Sequence, residues 1–289
     1  MPTFGIHTTL NPARTDGRET INAIRRWAAT RKVDVILSQA AELAAGAKGG
    51  ADDGAFVTHT DIVLSVGGDG AILSAARLVS ARGLPILGIN LGSLGFMTET
   101  QVTTLERDLN RILEGEYHLD ERMTLSARLD GQTLPPALND VVVDRGAVGR
   151  MIQVDLFCGD APIASYRADG LIIATATGST AYSLSAGGPI LDPSLEAIVA
   201  SPISPFGFSN RPIVFPANAE LEMRLSSEGG SPALSIDGQV HFTIPANARV
   251  TVSRGDAIVR LIRFEGSSFY DSLRQKLHWG TPPELRGKS

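Results

Sequence analysis

Asp61-Ile62-Val63-Leu64-Ser65-Val66-Gly67-Gly68-Asp69-Gly70 is the stretch from which the rest of the chain can be read. An apolar run ends in a turn of three glycines around one carboxylate. A short, nearly continuous aliphatic and β-branched segment is the pattern of a strand buried on both faces. Glycine opens backbone angles closed to other residues and lets a ligand approach the main chain. Asp69 lies at the carboxyl end of this expected parallel strand, where open α/β sheets bind ligands. On this stretch alone, a strand-to-helix turn with a capping Asp is the lesser alternative.

The flanking sequence repeats the pattern. Thr3 to Thr8 and Val33 to Leu37 read as strands, with Arg18 to Thr30 between them at helical spacing (Ile21, Ile24, Trp27, Ala28). Ala40 to Gly54, rich in Ala, Gly and Asp, predicts a helix ending in a mobile loop. A helix from Ala71 to Ser80 follows the glycine turn, then a strand from Pro85 to Ile89. The next turn, Asn90-Leu91-Gly92-Ser93-Leu94-Gly95-Phe96, again carries glycines, and Thr103 to Glu114 reads as a helix. Strands alternating with helices through short glycine connections predict an open parallel sheet in an α/β domain over residues 1–115.

After Gly115 the segments become short and β-rich, separated by Gly, Asp and Pro. They run through Met123–Leu129, Val141–Val143, Met151–Phe157, Ala161–Tyr166 and Leu171–Ala174. The pattern resumes at Pro212–Phe215, Ala219–Leu225, Ala233–Ile236, Arg249–Arg254 and Ala257–Phe264. This predicts an antiparallel β-sandwich domain over 116–268. A C-terminal helix, Phe269 to Leu277, lies within a tail of 269–289.

Composition narrows the function classes. The 289 residues suffice for about two domains. Apolar residues make up 43% and charged residues 20%, as in an ordinary globular protein. No apolar run reaches the roughly 18 residues that span a bilayer, and the N-terminus does not read as a secretory signal. Cys158 is the lone cysteine, so an intramolecular disulfide is excluded and a reducing cytoplasm fits. A net charge of −5 argues against a nucleic-acid partner. Walker A and GxGxxG patterns are absent: the one Gly-Lys-Ser, Gly287-Lys288-Ser289, lacks the upstream glycine.

Two further stretches could carry chemistry. Tyr166-Arg167-Ala168-Asp169-Gly170 precedes an apolar strand, which ends in the hydroxyl-rich run Thr175 to Pro189. Those hydroxyls, and the N–H groups of a helix opening there, suit phosphate or ribose oxygens, and Tyr182 could stack on a flat ring. A Ser/Thr-capped helix start fits the same residues. Asn139-Asp140 could hydrogen-bond ribose hydroxyls, or simply form a turn before a strand.

Taken in order, the Gly67–Gly70 turn, the Asn90–Phe96 turn, Asn139-Asp140, Asp169-Gly170 and Thr177–Pro189 resemble the NAD kinases of bacterial type. Ser209-Asn210-Arg211-Pro212, Asp237-Gly238-Gln239 and Leu273-x-x-Lys276-Leu277-x-Trp279-Gly280 are similar to that family too. The likeness runs from about Asp61 to Gly280. It implies transfer of the γ-phosphoryl of ATP to the 2′-hydroxyl of the adenosine ribose of NAD, giving NADP, with a divalent metal ion such as Mg²⁺ assisting. By the same likeness Asp69 would be catalytic, with Gly70 alongside. Asn139 and Asp140 would hold the adenosine, with Phe96 near the adenine. Thr177, Thr180, Ala181, Tyr182, Ser183, Leu184 and Ser185 would line the dinucleotide groove. Asp169 would meet the nicotinamide end from a neighbouring subunit, with Arg167, Arg150, Ser204 and Gln239 as further contacts. The family's dimers or tetramers imply a homo-oligomer.

Four positions depart from the family's usual pattern. Asp140 stands for Glu, Ala176 for Pro, Phe206 for a frequent His, and Ala71 for a polar residue. Lipid kinases related to diacylglycerol kinase and phosphofructokinases share a turn of the Gly67–Gly70 type, so that turn alone leaves the acceptor open. A dinucleotide-binding protein without catalysis is a third reading.

Overall fold

The computed structural model describes residues 1–92, 95–147, 150–207, 210–227 and 230–278. Ser93, Leu94, Ser209, Trp279, Gly280 and the Gly287–Ser289 tripeptide, all named above, lie outside them. The chain divides into two units. The first holds Met1–Glu121 and the described residues from Val259 onward, and the second holds Arg122–Ile258.

In the first unit, β1 (Phe4–Thr8), β2 (Val35–Leu37), β3 (Ile62–Val66) and β4 (Pro85–Asn90) are parallel, in the order β4-β3-β1-β2. Phe4 sits opposite Ile62 and Val35, and Leu64 opposite Leu87. Every residue of β1 and β3 is buried, as continuous apolar strands require when both faces are covered. The covering helices are α1 (Thr15–Arg31), α2 (Gln39–Ala44), α3 (Asp53–His59), α4 (Asp69–Val79) and, beyond the two-residue β5 (Thr100–Gln101), α5 (Leu105–Glu114). Leu105, Leu109 and Ile112 of α5 join Ile21, Ile24 and Trp27 of α1 in one core.

Several boundaries differ from expectation by two or three residues, and one segment differs in kind. The Ala40–Gly54 segment is no single helix with a loose end. Its helix stops at Ala44, and Asp52 caps a second one, α3, accepting the Ala55 N–H at 2.8 Å. Helix α4 starts two residues early, at Asp69 itself. His7, on β1, lies buried between the Ser38 and Ser74 hydroxyls (3.2 and 3.0 Å), and burial pushes its imidazole down to about 4.

The second unit is built from β6 (His118–Leu129), β7 (Gln132–Thr133), β8 (Asp140–Asp144), β9 (Ile152–Cys158), β10 (Ala161–Ala168) and β11 (Gly170–Thr175). The short α6 (Tyr182–Ser185) follows, then β12 (Ala197–Ile203), β13 (Ile213–Pro216), β14 (Leu221–Ser226), β15 (Ala233–Ile236), β16 (Val240–Thr243) and β17 (Arg249–Arg263). One antiparallel sheet runs β13-β12-β11-β8-β15-β16, and the other runs β10-β9-β14-β17. Inward residues of both, among them Val143, Leu156, Ile173, Met223 and Val250, make one sandwich core.

Strand β12 was not among the expected segments; Pro202, a residue disfavoured within sheets, lies near its end and pairs with Leu171. Arg249–Arg254 and Ala257–Phe264 are one continuous strand. Gly255 marks a close approach rather than a turn, since a Cβ there would meet Thr124 Oγ1 at 2.5 Å. Beyond Ile258 the strand belongs to the first unit, where Arg260 and Leu261 pair with β4. Helix α7 (Phe269–Leu277) forms over the expected residues and belongs to that first unit. No helix among the described residues is long and apolar enough to cross a membrane.

Candidate active site

Asp69 is the first residue of α4, where the helix dipole favours a carboxylate. It does not cap the helix: the N-cap is Gly68, which makes no side-chain cap. Instead the carboxylate crosses to the chain after β4. Its Oδ2 accepts the Phe96 N–H at 2.8 Å and its Oδ1 the Met97 N–H at 3.0 Å. Arg263 holds that loop from the other side, donating to the carbonyls of Phe96, Met97 and Thr98 and pairing with Glu99 and Asp120. With two fixed hydrogen bonds and 26% exposure, Asp69 is aimed yet open to a ligand.

The three turn glycines have different jobs. Only Gly67 has a positive φ, +146°, and a Cβ there would crowd Ala71. Ala71, whose Cβ lies against that spot, is buried. Gly68 is exposed with nothing within 4 Å of a Cβ position, and Gly70 lies in the first turn of α4. The tightest constraint is Gly95, where a Cβ would run into the Asp69 carboxylate. We therefore expect Gly95→Ala to destabilise the protein by about 1–3 kcal/mol, the usual range for overpacking. Gly68→Ala should cost less, about 0.5–1 kcal/mol, because the site is open but alanine is a poorer N-cap than glycine. Thermal melts of the two variants check both values.

In the second unit, Asn139 and Asp140 enter β8 under the control of Asp237, which the sequence marked only as part of a likeness. Asp237 is buried, with φ +52° on a turn beside Gly238. Its carboxylate accepts three successive N–H groups, from Leu138 (3.0 Å), Asn139 (2.7 Å) and Asp140 (3.1 Å). Asn139 is 8% exposed, and its Oδ1 is buried without a hydrogen-bond partner. Buried amide oxygens are ordinarily satisfied, so this one points to a ligand. Asp140 is 4% exposed, and burial, then the charge of Asp237, pushes its carboxyl up to about 7.

The hydroxyl-rich stretch passes against the same residues. Gly178 lies so close to the Asn139 carbonyl that a Cβ would collide with it. Thr177–Thr180 forms a 3-10 turn rather than opening a long helix, and α6 has four residues. Ala176 has φ −59°, the angle proline would impose, so the turn keeps its shape without proline. Buried Arg122, unremarked in the sequence, donates to Thr177 Oγ1 at 3.2 Å. Thr180 donates to the Thr177 carbonyl, and Ser183 pairs with Ser201 at 2.9 Å inside the fold. Ser185 and Tyr182 are exposed, while Ala181 and Leu184 are half-buried. Partial burial, then the charges of Asp144, Asp169 and Asp140, raise the Tyr182 phenol above its ordinary range.

Asp169 pairs with Arg145 at 2.9 Å. Exposed Arg167 lies 5.8 Å from the centre of the Phe206 ring, and with Arg150, Met151, Gln153 and Ser226 it lines a surface depression. Ser204 is exposed with φ +45°, and Gln239 is half-buried after the Asp237-Gly238 turn. Among the described residues no group of three or more His, Cys, Asp or Glu is placed to hold a metal ion.

Residues 54–117 match the model of the ATP-NAD kinase N-terminal domain, and residues 138–264 that of the C-terminal domain. An NAD kinase of Heliobacterium modesticaldum is 39% identical over 286 residues, spanning 97% of this chain and 100% of that protein. One from Moorella thermoacetica is 39% identical over 285 residues, spanning 97% and 90%. Among solved structures, an NAD kinase from Archaeoglobus fulgidus in complex with ATP superposes with a TM-score of 0.74 at 25% identity, covering 96% of this chain and 98% of that one. A yeast NADH kinase complexed with NADH superposes with a TM-score of 0.88 at 23% identity, covering 99% and 90%, a likeness of fold.

Proposed function

Because the chain belongs to the NAD kinase family, we propose that Asp69 is its catalytic residue in the phosphorylation of NAD to NADP. A ribose hydroxyl is a poor nucleophile, and a carboxylate aimed at its proton both orients and activates it. The 2′-oxygen of the adenosine ribose forms a bond to the γ-phosphorus of ATP as the β,γ-bridging oxygen leaves with ADP. The proton lost by the hydroxyl passes to the Asp69 carboxylate and from there to solvent. The observation that carries this reading is the pair of N–H groups from Phe96 and Met97, which fix both Asp69 oxygens while the group stays partly open.

The second unit supplies nucleoside recognition. The unpartnered Asn139 Oδ1 accepts from the adenosine part of NAD, with Asp140 beside it. Thr177, Thr180, Ala181, Tyr182, Ser183, Leu184 and Ser185 form the dinucleotide-binding turn, within which Ser183 acts by pairing with Ser201. Phe96 packs near the adenine, Gly70 lies beside the phosphates, and Asp169, Arg167, Arg150, Ser204 and Gln239 serve the nicotinamide end. The divalent cation comes as part of the ATP substrate. Magnesium is bound mainly through phosphate oxygens with few carboxylates, and the described residues build no cage for it. The enzyme works as a cytoplasmic homodimer or homotetramer. A lone, half-buried thiol at Cys158 fits a reducing compartment, and the exposed Phe206 offers an apolar contact for a second copy. Monomeric sedimentation, or activity recovered only in a membrane fraction, would remove these last two assignments.

The purified protein, given ATP, magnesium and NAD, is expected to release NADP and ADP in equal amounts, read by chromatography. Parallel arms with other triphosphates, polyphosphate and NADH define donor and acceptor. Tight NAD binding with no NADP from any donor would leave a binding protein and overturn the kinase reading.

A further inference from the structure

We propose that Lys276, on α7, is a second catalytic residue, a cation that balances Asp69 at rest and donates to the transferring phosphoryl group when ATP is bound. The proposal rests on the assignment of Asp69 above. The Lys276 ammonium stands 3.7 Å from Asp69 Oδ2 and 4.4 Å from the centre of the Phe96 ring. Charge-assisted hydrogen bonds are about 2.7–2.9 Å, so this pair is close without being locked. A lysine ammonium has three donors, and an aromatic face engages it without consuming one.

Helix α7 is docked by other residues. Leu273, 4% exposed, buries its side chain, and Phe269 meets Phe96 with ring centres 6.1 Å apart. Lys276 follows Leu273 by three residues, so it shares that inward face. An exposed ion pair that only fastened the helix would add little to these apolar contacts. Arg263, the other cation of this cluster, is 12% exposed and committed to carbonyls and to Glu99 and Asp120. Lys276, 31% exposed, is placed to change partners. A carboxylate facing a triphosphate meets like charge, and a mobile cation between them removes that repulsion while favouring the charge that builds on the transferred group.

The test compares Lys276→Met and Lys276→Arg with the parent enzyme, reading kcat, KM for ATP, KM for NAD and the melting temperature. ATP binding by calorimetry in an Asp69→Asn background adds a readout free of turnover. We expect Lys276→Met to lower kcat/KM for ATP about 100-fold, the usual loss for one transition-state donor. ATP binding in the Asp69→Asn background should weaken several-fold, KM for NAD should hold within twofold, and Lys276→Arg should recover most of the rate. Unchanged ATP kinetics in Lys276→Met would overturn the proposal, as would a loss that follows the melting temperature and affects both substrates alike. A parent enzyme that makes no NADP would instead sink the reading of Asp69, so the two failures are distinguishable.

Discussion

Asp69→Asn is expected to make NADP about 1,000-fold more slowly than the parent, within the range that a positioned general base contributes. Asn matches Asp in size, yet both Asp69 oxygens accept main-chain N–H groups, from Phe96 and Met97. The amide must place its NH₂ against one of those donors. That leaves an N–H without an acceptor and costs about 1–3 kcal/mol locally. A melt a few degrees lower is therefore part of the expected result. NAD affinity should fall only a few-fold, because the amide of the variant can still meet the ribose hydroxyl and the contacts assigned to Asn139 remain. Progress curves for NADP, with calorimetric NAD titrations on the same samples, separate the two effects. Near-normal turnover in Asp69→Asn would end the catalytic assignment.

The sequence showed the α/β unit clearly, because parallel strands buried on both faces leave near-continuous apolar runs and short glycine turns. It showed the sandwich less well. The chain from Ala197 to Ile203 carries a proline, and Gly255 imitates a turn inside a strand of 15 residues. The sequence singled out candidate side chains, Asp69 and Asn139 among them, whose roles here are proposals. It was opaque where backbone does the work. Nothing in the sequence says that the N–H groups of Phe96 and Met97 bind Asp69, or that Gly95 is a glycine because the carboxylate occupies its Cβ space. Asp237 was hidden for a similar reason. An Asp-Gly pair usually marks a turn, and only the fold shows that this carboxylate serves residues 97 to 99 positions earlier.

Asp237→Ala should accordingly cause the largest loss of stability of any change considered. It strands three buried N–H donors in one stroke. At about 1–3 kcal/mol for each unsatisfied group, with water entering to relieve part of it, a net loss of about 3–5 kcal/mol follows. KM for NAD should rise about tenfold or more, since the Asn139 Oδ1 loses the backbone that aims it. Asp237→Asn offers a gentler probe with a distinct pH signature. Asp140 keeps its proton up to about pH 7 when folded, against an ordinary carboxyl value near 4, and the charge of Asp237 is the second cause after burial. A raised acid stabilises fully below its unfolded value and loses that contribution as pH rises through the folded one. His7 has the opposite sign: neutral when folded down to about pH 4, it makes stability rise with pH up to about 6.5. Between about pH 4 and 6.5 the two effects oppose. The Asp140 decline therefore shows only where the His7 rise fades, from about pH 6.5 to 7.5, at less than about 1.4 kcal/mol per pH unit. It ends once Asp140 is ionised in both states. Removing the Asp237 charge lowers the Asp140 value, so the decline in stability above pH 6.5 should flatten in Asp237→Asn. Urea unfolding at intervals across that window measures the slope. An undiminished slope in the variant would show that Asp237 does not couple to Asp140.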